Sequence, residues 1–146
     1  MAHLTVVPMA THHGTIRIRT EGREGTTDIT ARVRDVVRAS GIADGVCLVS
    51  STHTTAAVFV NENADPDVQH DLLAALSRIV PDDATYRHAE GNSPAHIKAV
   101  LIGGDVTLAV REGDLVLGRW QGVYFAELDG PRTRVATVTV SGERAP

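Results

Sequence analysis

The sequence predicts a single α+β domain in which a mostly antiparallel or mixed sheet packs with two to three helices. Three observations carry this: strand-length apolar segments outnumber helical periodicities, the last third of the chain holds consecutive strand segments with no helix between them, and few stretches join a helical apolar period to a helix start signal. At 146 residues the chain falls within one domain's usual length, roughly 100–200 residues. The core is placed over about 4–140, with a loose tail over 141–146.

Leu4 to Val7 and Thr15 to Thr20 read as two strands joined in a hairpin, the second with Ile16 and Ile18 on one face. Between Asp28 and Ser40, Ile29, Val33, Val36 and Val37 recur at helical spacing, and Gly41 marks the stop. Gly45 to Ser50 is an apolar run too short for a helix and reads as a buried central strand; Thr55 to Val60 reads as the next. Asp65-Pro66 combines a capping carboxylate with a residue that lacks the N–H a first helical turn leaves orphaned, so a helix is predicted to about Val80. Its apolar stripe is Val68, Leu72, Leu76 and Ile79. Ser93-Pro94 starts a third helix ending at Gly103-Gly104. Strands are predicted over Val106 to Val110, Leu115 to Leu128 and Val135 to Val140, with turns at 111–114 and 129–132.

Composition narrows the function. Lys and Arg number 14 against 18 Asp and Glu, a net charge of −4, so no broad basic face exists to neutralise nucleic-acid phosphates. There is neither a signal-peptide pattern nor an apolar run of about 20 residues, which argues against a membrane and for the cytoplasm. The single cysteine, Cys47, lies in an apolar strand and reads as a small buried hydrophobe. No P-loop, Gly-rich dinucleotide turn or nucleophile elbow occurs, so no nucleotide cofactor is expected.

Seven histidines are present. His3, His12 and His13 lack acidic neighbours in sequence and read as surface residues, whereas His53, His88 and His96 each fall at a predicted element boundary, where segments converge on pockets. Together these three could bind a divalent metal such as zinc, magnesium or manganese, although the His88-x7-His96 spacing matches no standard zinc signature. A hard-cation site from Glu62, Asp65, Asp67 and Asp71 is the alternative. Glu62 or Asp71 would act as the base, and His53 is counted with them as a catalytic candidate. Asn92 at the start of the third helix, and Trp120 with Gln121, are candidate ligand-binding residues; the indole could equally fill the core.

Taken in order, His53-Thr-Thr-Ala-Ala57, Asn61-Glu-Asn-x-Asp-Pro-Asp67, His70-Asp71, Tyr86-x-His88, Gly91-Asn92, Ala95-His-Ile-Lys98, Gly118-x-Trp-Gln121 and Glu127-x-Asp-Gly-Pro-Arg132 resemble the YjbQ-like family, described as secondary thiamine-phosphate synthases. Two positions depart from its pattern: Asp105 replaces a usual serine, and Arg119 a usual threonine before Trp-Gln. The resemblance implies a homotrimer, a histidine pocket near a subunit interface, and a weak activity joining hydroxymethylpyrimidine diphosphate to a thiazole phosphate. Two other classes stand beside this expectation. One is a trimeric binding or sensing protein for a phosphorylated small molecule, and the other a metal-dependent phosphoester hydrolase.

Overall fold

The computed structural model describes residues 6–146. Eight strands and three helices follow one another as β1 (Met9–Arg19), β2 (Gly25–Asp28), α1 (Thr30–Ser40), β3 (Ile42–Ser51), β4 (Ala56–Glu62), α2 (Pro66–Ile79), α3 (Ser93–Ile102), β5 (Asp105–Arg111), β6 (Asp114–Leu115), β7 (Gln121–Glu127) and β8 (Thr133–Arg144). They build two sheets, of order β1-β8-β3-β5-β6 and β2-β7-β4, in which every neighbouring pair is antiparallel.

Side-chain alternation explains the layers. On the larger sheet Ile16 and Ile18, Cys47 and Val49, and Ala136, Val138 and Val140 point inward; on the smaller sheet Val58, Val123 and Phe125 face them. Helix α1 contributes Ile29, Val33 and Val37 to this common core. The opposite face of the smaller sheet holds Ala57, Ala126 and Leu128 and is covered by Ala95 and Ala99 of α3. Both faces of β4 and β7 are therefore buried, which is why their sequences are nearly continuous apolar runs.

The helix starts follow their local signals. The Asp65 side chain accepts the Asp67 N–H at the N-terminus of α2, with Pro66 inside the first turn, and α1 stops at Gly41 in the left-handed region at φ 69°. Where β3 meets β8, Gly45 lies opposite Gly142, and a Cβ on either would come within 2.1 Å of a backbone oxygen across the ladder.

Several expectations are corrected. Leu4 and Thr5, like His3, lie outside the described residues, while Val6 and Val7 carry no strand; β1 is one continuous strand paired along its whole length with β8, so no hairpin forms within residues 6–19. The tail is ordered as far as Arg144, because β8 pairs with Met9 and Ile42 there. The run from Leu115 to Leu128 is broken over 116–120. Strand β3 is central but buried on one face only, with Val46 48% and Leu48 36% exposed on the other. Ile79, placed on the apolar stripe of α2, is 67% exposed near the helix end.

Cys47 matches its reading. It is completely buried, and loss of solvation pushes its thiol up to about 11. Native protein at pH 8 is therefore expected to resist alkylation by iodoacetamide, with stoichiometric labelling only after unfolding, as intact mass spectrometry would record.

Candidate functional site

Arg134 occupies an inward position of β8, in the series Arg134, Ala136, Val138 and Val140, where an unpaired guanidinium would be prohibitively desolvated. Its partner comes from the other sheet: Glu127, the last residue of β7, lies 2.6 Å away, and both side chains are almost wholly buried. Arg134 also donates to the Thr55 carbonyl and hydroxyl, and Thr20 donates to the second oxygen of Glu127. A satisfied ion pair thus bridges the two sheets at one end of the core.

A cavity of about 340 Å³ opens beside this pair. Its walls come from three connections: Thr52 to Thr55 between β3 and β4, Asp129 and Arg132 between β7 and β8, and Glu90, Asn92 and His96 around the start of α3. The turn is internally braced, since Arg132 donates through Nε to the Asp129 carbonyl at 2.9 Å and Asn92 donates to the Asp129 carboxylate at 2.9 Å. The half-exposed Arg132 guanidinium keeps further N–H groups for a ligand. His96 makes no side-chain hydrogen bond among the described residues.

His53 has a more constrained chemistry than the sequence implied. The ladder between β3 and β8 ends at Ser51 and Ala136, and the next N–H of β8, that of Val135, donates to His53 Nε2 at 2.9 Å. The imidazole replaces a strand carbonyl. Because Nε2 accepts, the neutral ring carries its proton on Nδ1. Desolvation, then the Arg134 charge, lower the pKa of His53, an effect that Glu127 opposes. The sign follows: a folded-state value below the ordinary 6.5 makes protonation favour the unfolded chain, so this group's stability is complete above about 6.5 and lost as pH falls through the lowered value. A His53→Gln variant is expected to lose this part of the acid sensitivity, measured as unfolding free energy against pH.

The three histidines considered as metal ligands do not all line one cavity. His53 and His96 share the cavity, but His88 lies on the far side of His96, its ring edge-on at a centroid distance of 5.3 Å, and it faces Glu90 in the solvent. With Nε2 of His53 already accepting from the backbone, the three residues do not offer three free nitrogens at one point. Among the described residues no group of three or more His, Cys, Asp or Glu side chains is placed to hold a metal ion. That statement also covers the hard-cation alternative at Glu62, Asp65, Asp67 and Asp71.

The candidate bases do not line the cavity. Glu62 ends β4, where its carbonyl accepts from Gln69, and Asp71 is exposed on α2. Trp120 is no core residue: it is 55% exposed, with the Arg119 guanidinium 4.9 Å from its ring centre. Gln121 turns its side-chain oxygen onto the Gly118 N–H. Asn92 lines the cavity. His13 is exposed and hydrogen-bonded to Thr139. Arg134 was missed in the sequence, and Glu127, Asp129 and Arg132 stood in the family-like pattern without a site role. Their available signal was an arginine on the inward series of β8 and a glutamate ending an otherwise apolar strand, two charges that only each other can neutralise.

Two antiparallel sheets about one core, with an arginine- and histidine-lined cavity at the β3–β4 and β7–β8 connections, make this an α+β protein. The chain belongs to the UPF0047 YjbQ-like protein family, whose model matches residues 14–143. It is 42% identical over 128 residues to a UPF0047 protein of Methanocaldococcus jannaschii, covering 88% of this chain and 93% of that one. It is also 42% identical over 129 residues to YugU of Bacillus subtilis, covering 88% and 98%. Among solved structures, a YbjQ-like protein of Sulfolobus solfataricus superposes with a TM-score of 0.90 at 34% identity, covering 93% of this chain and all of that one. A Clostridium acetobutylicum family member gives 0.85 at 44% identity, covering 86% and 98%. Among the described residues no helix is long and apolar enough to cross a membrane.

Proposed function

We propose that the cavity between Thr52–Thr55, Asn92–His96 and Asp129–Arg134 binds the phosphate of a small molecule. The observation that carries this reading is the convergence of donor-bearing residues: Arg132, whose guanidinium keeps N–H groups beyond those used in its own turn, lines one pocket with His53, Thr54 and His96. The reaction to test first is of the thiamine-phosphate-forming type. There a thiazole nitrogen attacks the methylene of hydroxymethylpyrimidine diphosphate, the C–N bond forms, the C–O bond breaks, and its electron pair leaves on pyrophosphate. Arg132 would stabilise that leaving charge, and His96, with no competing hydrogen bond, would deliver a proton to it. A divalent ion, as magnesium, manganese or zinc, would enter as the diphosphate's own counter-ion and be part of the substrate.

A second reading is supported by the placement of Glu62 and Asp71 away from the cavity: a protein that binds or senses a phosphorylated metabolite without turning it over. One experiment separates these. Protein is incubated with both thiamine precursors and magnesium, pyrophosphate and phosphate release are followed, and thermal stabilisation by each precursor is recorded in parallel. Pyrophosphate release lost in His96→Gln supports the transferase. Phosphate release from either precursor points to a phosphoester hydrolase, and stabilisation without product supports the binding protein. Absence of stabilisation and of product overturns the phosphate site itself.

The same reading includes a homotrimer and a cytoplasmic location. Support for assembly comes from the uncovered face of the larger sheet, where Val46 and Leu48 stand among uncharged Thr11, Thr137, Thr139 and Ser141. Light scattering measures the mass directly.

A further inference from the structure

Strand β1 is the outer strand of the larger sheet, an 11-residue edge with β8 as its one neighbour. In an antiparallel ladder, facing residues alternate between pairs that exchange both backbone hydrogen bonds and pairs that exchange none. The Thr20 N–H donates to the Arg132 carbonyl just past the end of β1, so in the same register the even-numbered residues of the strand bond to β8. The N–H and C=O groups of Met9, Thr11, His13, Thr15 and Arg17 therefore point away from the sheet. The Arg17 carbonyl is covered by the Arg32 side chain of α1. Among the described residues no group bonds the outward backbone from Met9 to Thr15.

Open edges are templates for a further strand, and proteins commonly blunt them with charges, proline or a bulge. From Met9 to Ile16 the strand has none of these: it holds no Asp, Glu, Lys or Arg and no proline, and its register with β8 is unbroken. We infer that this edge pairs with β1 of a second copy of the chain, antiparallel about a two-fold axis at His13, so that the larger sheets of two copies join into one. The edge is separate from the phosphate cavity and from the uncovered sheet face, so the inference does not rest on either reading.

Three features select this partner and this register. First, with the His13 residues of the two copies opposite each other, Thr11 lies opposite the partner's Thr15, and each free outward group between them meets its complement. A shift one way would set two His12 side chains face to face, and a shift the other way would direct Thr11 at the Arg17 carbonyl that Arg32 already occupies. Second, on the inward face, where Ile16 and Ile18 are buried, the register sets His12 opposite the partner's Gly14 and Ala10 opposite the partner's Ile16. A large side chain thus meets a small one at each closely spaced position. Third, on the outward face Arg17 arrives beside the partner's Met9, in a row that continues across that copy's sheet through Glu143 and Asp44. Two strand spacings, roughly 10 Å, then separate Arg17 from that glutamate, within the combined reach of two long side chains. No like charges fall opposite each other. A two-fold contact satisfies each of these pairings twice.

The test uses the full chain and two variants. His13→Lys places two ammonium groups side by side on the axis, and His13→Pro removes an N–H that points away from β8, so neither interrupts the ladder within a subunit. Equilibrium sedimentation and amide hydrogen exchange are read together. The parent protein is expected at an even multiple of the chain mass, a dimer or, where the sheet face holds a trimer, a hexamer. Its Thr11 and Thr15 amides should exchange about a hundredfold more slowly than in His13→Lys, and the mass should halve in both variants. If His13→Pro does not fold, His13→Lys carries the test alone. An odd mass, monomer or trimer, overturns the edge pairing and leaves the trimer and phosphate readings standing. An even mass that His13→Lys does not change, or fast exchange of Thr11 and Thr15 in the assembled protein, overturns it too by assigning the contact to another surface.

Discussion

Arg134→Met is expected to destabilise the protein by about 3–5 kcal/mol, because the substitution leaves the carboxylate of Glu127 buried between the sheets without a counter-charge. Glu127→Leu should cost a similar amount for the converse reason. The double variant should be more stable than either single one, since a hydrophobic pair of similar volume avoids both desolvation penalties. Recovery will be partial. The hydroxyl of Thr55 loses the donor that Arg134 supplies, at about 1–3 kcal/mol for a group left unsatisfied in the interior, while its carbonyl keeps the Leu128 N–H. Urea titrations of the four proteins form a complete double-mutant cycle. Single-variant losses below about 1 kcal/mol, the value typical of exposed pairs, would show that water reaches these side chains.

The second large effect concerns the ligand. Arg132→Gln is expected to weaken inorganic phosphate binding about tenfold, corresponding to the lower part of the range for a hydrogen bond to a charged group, about 1.5 kcal/mol, because the guanidinium is half-exposed and screened. Arg132→Lys should recover part of the loss, as it restores the charge without the planar fork. Fold stability should change little, since the contacts of this side chain are confined to its own turn at Asp129. An unchanged phosphate affinity in Arg132→Gln would remove the arginine from the site.

Ion pair and cavity are linked through the same connections. Thr55, which fixes Arg134, closes the loop that carries His53; Val135, which follows Arg134, supplies the N–H that sets the tautomer of His53. The cavity wall is therefore built on a buried electrostatic joint, and loosening the joint should displace His53 as well. Fourfold comparison of the cycle variants by histidine nitrogen chemical shifts would show this directly, with the Nδ1–H form retained only where the loop keeps its place.

Much of the architecture could be read along the chain. Asp65-Pro66 and Ser93-Pro94 start their helices where predicted, Gly41 ends α1, and Ile16 with Ile18 face the core, because each depends on backbone geometry and apolar spacing within one or two turns of chain. The seat of β1 was not legible in this way. Its partner, β8, lies at the opposite end of the sequence, and the pairing of Thr15 with Thr137 has no local signature. The division of strands between two sheets was equally hidden, so the apolar run of β3 and those of β4 and β7 looked alike although only the latter two are buried on both faces.

The site follows the same division. By itself the sequence determined the family pattern, the inert Cys47 and the position of Asn92 at a helix start. Only the tertiary structure decided that His53 spends its Nε2 on a backbone N–H 82 residues away, that His88 stands beyond His96, and that Arg134 meets Glu127 across the gap between sheets. The physical reason is the range of the interactions. Capping, turn formation and periodicity are settled by neighbours a few residues apart, whereas a tautomer, a buried charge and the walls of a cavity depend on which distant segments the core brings into contact.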